Sequence, residues 1–214
     1  MSASSVTVRW LGQQDYLTCW RRMQDFTQQR LDTTEDEIWL LEHFPVFTQG
    51  QNGKPEHVLR QGDIPLIQTD RGGQVTYHGP GQLMVYFLVD LKRKKLTVRE
   101  FVTHLEQSIV DLLAAFQIVG TSRREAPGVY VADKKICSIG LRVRRGSTYH
   151  GMAFNVALDL TPFTRIHPCG YATLKMTQFS ELGGLSCTKA TGHELIAYLM
   201  NQLSYTSTQF TSSE

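Results

Sequence analysis

Seven consecutive apolar residues, Leu83 to Val89, form the longest such run in the chain and constrain it most. A half-buried strand alternates apolar and polar residues. An unbroken run of this length fits a strand covered on both faces, so it calls for a sheet with structure on either side. It also falls far short of the roughly 20 residues that cross a bilayer, so no transmembrane helix and no membrane partner are expected.

Other segments supply the covering layers. Residues 13–31 predict a helix with Tyr16, Trp20 and Met23 on one side. Residues 97–118 predict another: Thr97 and Glu100 make a capping box, and Phe101, Leu105, Ile109, Leu112 and Phe116 recur every three or four residues. Thr191 and Glu194 repeat the box and predict a last helix through about residue 204, before a frayed tail at 212–214. Strands are expected at Val6–Trp10, Glu37–Phe44 (stopped by Pro45), Ile64–Thr69, Gly81–Leu91 and Thr148–Leu158. Two more, 128–133 and 134–145, are joined by a tight turn at Asp133-Lys134. The expected fold class is α/β (α+β), a mixed sheet flanked by helices, in a single domain spanning residues 1–214.

Composition narrows the function classes. At 214 residues, 41% hydrophobic and 20% charged, the chain supports a packed core rather than disorder. A net charge of +2, with no aromatic-interleaved basic stretch, gives no reason to expect nucleic acid as a partner. Neither G-x-G-x-x-G nor G-x-x-x-x-G-K-[ST] occurs. The first residues lack a basic segment followed by an apolar one. Cys19, Cys137, Cys169 and Cys187 contain no C-x-x-C pair. Both features point to a reducing cytoplasm, where each cysteine is a core filler or a reactive thiol.

Three segments are candidates for chemistry. Asp70–Gln82, DRGGQVTYHGPGQ, is either a long surface turn or a loop whose glycines let backbone N–H groups approach a ligand. Within it, His78 taken alone reads more readily as a hydrogen-bonded structural residue. Residues 165–180 place Cys169 between Pro168 and Gly170, in a turn that can present a thiol. That thiol is either inert or a nucleophile with a nearby base or cation. His167, Lys175, Lys134 and Lys135 are the candidates for that partner. Cys137 and Cys19 read as core, and no zinc-ligand spacing is present. The third segment is basic: 91–99 carries five positive residues, and 121–150 holds seven against two acids. It is either a solvated rim or a docking face for an acidic partner.

RGGQVTYHGPGQL (71–83) resembles the signature of the octanoyltransferase (lipoate-protein ligase B) family. The likeness rests on Arg71, Gly72, Gly73, Thr76, Tyr77, His78, Gly81 and Gln82. It continues through Lys135 with Ser138-Ile139-Gly140, His150-Gly151-Met152-Ala153-Phe154-Asn155 and Pro168-Cys169-Gly170. The resemblance implies the catalytic fold of biotin and lipoate protein ligases. It implies transfer of an octanoyl or lipoyl group from an acyl carrier protein thioester to a lysine of lipoyl domains. Those domains belong to 2-oxoacid dehydrogenase complexes and the glycine cleavage H protein. Cys169 would carry the acyl group as a thioester and Lys135 would favour its ionisation. Arg71, Gly72, Gly73, Gln74, Val75, Thr76, Tyr77 and His78 would line the acyl pocket with Ser138, Ile139, Gly140, Gly151, Met152 and Ala153. No metal, nucleotide or other cofactor is implied.

The residues are compatible with this reading. Glycines 72, 73, 140 and 151 can bring backbone close to an acyl chain, and Ile139, Met152 and Ala153 can wall it. The basic run 92–95 would dock the acidic carrier protein. The rival readings are an ATP-dependent lipoate or biotin protein ligase of the same fold, which needs no cysteine nucleophile, a non-catalytic carrier-protein-binding module, and a thiol hydrolase.

Overall fold

In the computed structural model, which describes residues 5–212, the apolar run lies in a strand buried along its whole length. Because successive side chains point to opposite faces, Leu83, Val85, Phe87 and Val89 enter one core. Met84, Tyr86 and Leu88 enter a second core on the other face.

The strands are β1 (Ser5–Gln14), β2 (Asp36–His43), β3 (Val46–Gln49), β4 (Leu66–Gln68), β5 (Val75–His78) and β6 (Gln82–Leu88). They continue with β7 (Thr121–Ser122), β8 (Gly128–Val131), β9 (Lys134–Arg144), β10 (Ser147–Asn155) and β11 (Ser207–Ser212). Among the described residues, eight form one mixed sheet in the order β11-β1-β2-β6-β10-β9-β8-β7, and β4-β3-β5 form a smaller one. The longer helices are α1 (Tyr16–Gln29), α3 (Val98–Ala115) and α4 (Thr188–Gln202), with a single turn α2 (Leu91–Lys94) after β6. Helices α3 and α4 cover the Leu83 face and α1 the Met84 face. A third core, with Phe47, Val75, Tyr77 and Phe163, belongs to the small sheet. This is the expected fold class.

Helix α3 begins as its capping box requires, with both reciprocal bonds between Thr97 and Glu100 made. Four departures have local causes. Residues 11–14 continue β1, and α1 starts only after Asp15, whose carboxylate accepts the Thr18 N–H at 2.8 Å. The β8–β9 turn is Ala132-Asp133, one residue earlier than expected; both have positive φ, 45° and 65°, as a twisted two-residue hairpin needs. No second capping box forms. Helix α4 starts at Thr188, and the Thr191 hydroxyl donates back to the Cys187 carbonyl at 2.8 Å. Strands β3, β7 and β11 were not expected, and about a third of the 70–82 segment is strand, since 75–78 is β5. The polar β11 (STQFTS) has no apolar alternation and is defined by parallel pairing with β1. Of the expected frayed tail, residues 213–214 lie outside the described residues.

The first residue of β2, Asp36, is 1% exposed. Its carboxylate accepts from Arg30, from Arg93 at 2.6 Å, from the Asp90 N–H at 2.9 Å and from the Tyr205 hydroxyl at 2.6 Å. It ties the end of α1, the start of α2 and the segment after α4 to one sheet position. This revises the reading of the 92–95 run: Arg93 serves Asp36, and the Lys94 ammonium donates to the Leu203 carbonyl at 2.8 Å. Lys92 and Lys95 are exposed and left for a docking role. Asp36→Asn keeps the shape but removes the charge facing two guanidiniums. It should cost about 3–5 kcal/mol in urea unfolding; a loss below about 1 kcal/mol would show that the hub is dispensable.

Candidate active site

One cavity of about 360 Å³ gathers residues from all the chemistry-bearing segments, a volume within the range of small-molecule sites. The 71–74 turn and β5 form one wall, and β9 and β10 form another. The 168–171 turn closes it, with Tyr16 of α1 and Met84 and Tyr86 of β6 beneath. Residues 71–76 and 78, 138–140 and 151–153 line it, together with Lys135 and Cys169. Tyr77 does not. Strand alternation turns its ring away, against Phe47 and Phe163 at centroid distances of 5.7 and 5.6 Å.

The Lys135 ammonium lies 3.2 Å from the Cys169 sulfur. Lys135 is 1% exposed. Its backbone N–H donates to the Lys175 carbonyl at 2.8 Å, and its carbonyl accepts the Thr177 N–H at 3.0 Å. The segment after Cys169 is thereby laced to the start of β9. The Tyr130 ring lies beneath the ammonium, 5.3 Å from Nζ to centroid. Gly128 makes the room: a Cβ there would sit 2.6 Å from Lys135 Cε and 2.2 Å from the Cys137 carbonyl oxygen, at a φ of +137°. Burial by itself pulls the ammonium toward its neutral form. The negative charge of a Cys169 thiolate, with Tyr130 behind it, outweighs that pull and raises the Lys135 pKa.

The other cysteines are placed differently. Cys137 and Cys19 are fully buried, and burial pushes both thiols up, Cys19 to about 12. Cys187 is exposed at the start of α4. Of the four candidate partners for Cys169, Lys135 is the one in contact. Lys134, adjacent on the strand, is exposed.

The signature residues form one hydrogen-bond chain. The Arg71 guanidinium donates to the carbonyls of Gly72 (2.9 Å), Thr48 (2.6 Å) and Gln74 (2.8 Å) and to the Thr48 hydroxyl (2.8 Å). That hydroxyl meets His78 Nε2 at 3.0 Å, and His78 Nδ1 meets Gln82 Oε1 at 2.8 Å. Gln82 donates to Asn155 at 2.9 Å, and Asn155 donates to the Thr177 carbonyl at 2.9 Å. Thr177 is bonded to Lys135. Both nitrogens of His78 are therefore occupied within the protein, and its ring lines the cavity.

Sequence reasoning gave no role to a second network. Asp70 accepts from Trp20 Nε1 (2.9 Å), Gln24 (3.3 Å), His150 Nε2 (2.8 Å) and the Tyr149 hydroxyl. Neighbours on a strand normally point apart. His150 has a φ of +60°, and that twist lets Tyr149 and His150 reach the same carboxylate. Burial alone would raise the Asp70 carboxyl; the bonds from His150 and Tyr149 outweigh it and hold the group well below the usual carboxylate range. The positive φ is a property of folded backbone that no residue type announced.

The family model for the lipoyl protein ligase A/B catalytic domain matches residues 15–204. An octanoyltransferase of Vibrio campbellii is 54% identical over 207 residues, covering 97% of this chain and 94% of its own length. The chain belongs to the octanoyltransferase family. Solved structures of lower identity share its fold. A bipartite lipoate protein ligase from Thermoplasma acidophilum superposes with a TM-score of 0.74 at 14% identity, covering 97% of this chain and 87% of that one. A biotin protein ligase from Aquifex aeolicus gives 0.53 at 13% identity, covering 92% and 69%.

Tyr16, Tyr86 and the His78 ring give the octanoyltransferase cavity an aromatic surface. His78 stacks on Tyr16 at 5.9 Å, and His43 meets Tyr86 by hydrogen bond at 2.6 Å. Burial depresses His43 to about 4 and His78 well below its ordinary value, the latter with help from His43 and Arg71. Aromatic surface with neutral imidazoles suits an alkyl chain, and the Arg71 guanidinium on the same lining is taken up by backbone carbonyls. The linkage has one sign: below about pH 6.5 the unfolded chain takes up protons that the folded chain refuses until about pH 4 at His43. Stability present at neutral pH is lost as the pH falls through that window, roughly 2 kcal/mol from His43 by pH 5. The thermal midpoint should drop by about 4–8 °C between pH 7 and 5; a flat profile would mean the histidines are not held neutral.

Proposed function

We propose that this octanoyltransferase transfers its acyl group in two steps through Cys169, with Lys135 as the proton carrier. The 3.2 Å contact between a buried ammonium and the only cavity-lining thiol among the described residues carries the reading. The donor is octanoyl-acyl carrier protein. The acceptors are lysines of lipoyl domains of 2-oxoacid dehydrogenase complexes and of the glycine cleavage H protein. The enzyme works in the cytoplasm as a single catalytic domain.

The proton balance closes within the pair. The Cys169 thiolate attacks the donor thioester, and the carrier's thiolate leaves. Lys135 protonates that leaving group and becomes a neutral amine. Acylation also removes the thiolate charge that had raised Lys135, so burial then favours the neutral form. The acceptor lysine's neutral amine attacks the Cys169 thioester and gives its proton to Lys135. Collapse expels the Cys169 thiolate and restores the ion pair. The thioester donor already stores the activation energy, so the route has no step for ATP. An ATP-using ligase of the same fold needs no thiol at this place.

Lys135→Arg keeps a cation but cannot accept the amine's proton. It should accumulate the octanoyl-enzyme on intact mass spectrometry while product release to a lipoyl domain falls at least ~10²-fold. Cys169→Ala should give neither adduct nor product, whereas Cys137→Ala and Cys187→Ala stay active. A Cys169→Ala enzyme that transfers octanoyl at near-normal rate would replace this scheme with direct transfer in a ternary complex.

Carrier-protein docking is assigned to the exposed cations of two adjoining segments, Lys92, Lys95, Arg144 and Arg145. The Leu91 N–H donates to the Gly146 carbonyl at 3.0 Å, which brings the α2 and β9–β10 turns together. Neutralising these four, with Arg93 and Lys94 left intact, should slow carrier-protein association at low salt and leave transfer from a small octanoyl thioester unchanged. Unchanged carrier kinetics at low ionic strength would reduce the patch to a solvated rim.

A further inference from the structure

We infer that the side-chain amide of Gln74 is the oxyanion-stabilising donor of this active site. The inference rests on the covalent Cys169 reading and gives one lining residue a specific chemical task. Each acyl-transfer step passes through a tetrahedral centre. When the thiolate's electron pair forms the new C–S bond, the carbonyl π pair moves onto oxygen. That oxyanion then re-forms the carbonyl as the leaving group departs. A donor fixed where this charge develops accelerates both steps.

Most polar groups around the cavity are already committed. The Arg71 guanidinium is held by the carbonyls of residues 48, 72 and 74 and the Thr48 hydroxyl. His78 uses both ring nitrogens. Lys135 faces the sulfur and carries the proton. Gln74 differs. Among the described residues its side-chain amide makes no hydrogen bond, although it lines the cavity: its Oε1 is buried without a partner, and its two N–H groups, the ones an oxyanion could accept from, are uncommitted. His150 also leaves a ring nitrogen, Nδ1, unpartnered, but its ring is already turned onto Asp70 through Nε2.

The amide is also placed against the nucleophile's neighbour. A Cβ on Gly170 would lie 2.3 Å from Gln74 Nε2 and 2.4 Å from Oε1, so the amide packs directly onto the residue that follows Cys169. Gly170, with φ +81°, is the residue that permits this approach. Cys169 itself has a φ of +56°, so the turn is held in a conformation that non-glycine residues avoid. On the opposite side, Arg71 clamps the carbonyls of Gly72 and of Gln74 itself, fixing the turn from which the amide projects. Gln74 therefore joins two restrained turns, one carrying the nucleophile and one carrying a donor.

Gln74→Met keeps the side chain's length and removes the donor; Gln74→Ala is the companion should Met not fold, with the thermal midpoint of each as the folding check. Two rates at Cys169 are compared. Acylation by a small octanoyl thioester, followed by intact mass, passes through an oxyanion. Alkylation by iodoacetamide consumes the same thiolate and forms none. Acylation should fall about 10²–10³-fold with alkylation unchanged. Equal loss of both rates would make Gln74 a support for the thiol, and wild-type acylation would exclude the oxyanion role; either overturns the inference. A wild-type enzyme that forms no octanoyl adduct at all would instead overturn the covalent scheme beneath it.

Discussion

A lysine ammonium almost wholly removed from water is the constraint around which this site is arranged. An isolated buried cation is costly, and such groups lose their charge unless an opposite one stands nearby. At Lys135 that partner is the Cys169 sulfur at 3.2 Å, with Tyr130 beneath. The surrounding elements hold the two groups in register. Gly128 yields space for the lysine stem, and residues 175 and 177 bind both backbone groups of Lys135. The side chains of residues 78, 82 and 155 link that edge back to the Arg71 turn. The same contact makes burial of the ammonium tolerable and sets it against the one cavity-lining thiol among the described residues.

The rest of the cavity mixes aromatic surface with a held charge. Tyr16, Tyr86 and the buried, neutral His78 ring line it, and the Arg71 guanidinium on the same lining is held by the carbonyls of residues 48, 72 and 74. Asp70 keeps its charge because four donors converge on it, and it fixes His150, which lines the cavity, together with Trp20 and Tyr149. The arrangement follows from the sheet. Strand β6 is buried on both faces, so its Met84 and Tyr86 can serve the cavity while Leu83, Val85 and Phe87 hold α3 and α4.

Much of the fold was legible because local signals and burial agreed. The capping box of α3, its apolar spacing, the two-faced strand β6 and the β8–β9 hairpin each state their structure within a dozen residues. The failures share a cause. Thr191 and Glu194 have capping-box spacing, yet α4 begins three residues earlier, at Thr188, whose hydroxyl is taken by Glu42. Strand β11 is polar and exists by pairing with a strand 200 residues away in sequence. The basic run 92–95 read as one surface patch, but Asp36 and the Leu203 carbonyl claim its two middle members. In each case a distant partner overrode the local pattern.

By itself the sequence determined the fold class, the strand that must be buried on both faces, the family, and most of the signature residues that line the cavity. These depend on residue type and spacing, which a chain carries before it folds. Tertiary structure alone decided which of the four candidate partners faces Cys169, since Lys134 and Lys135 differ only in the face of β9 they occupy. It decided that both His78 ring nitrogens are bonded within the protein, that Tyr77 turns out of the pocket, and that Asp70 gathers two consecutive side chains through the positive φ of His150. It also decided that the Gln74 amide rests unpartnered on Gly170. Orientation and the choice of hydrogen-bond partner are set by which faces meet, and the meeting faces come from segments up to about 200 residues apart.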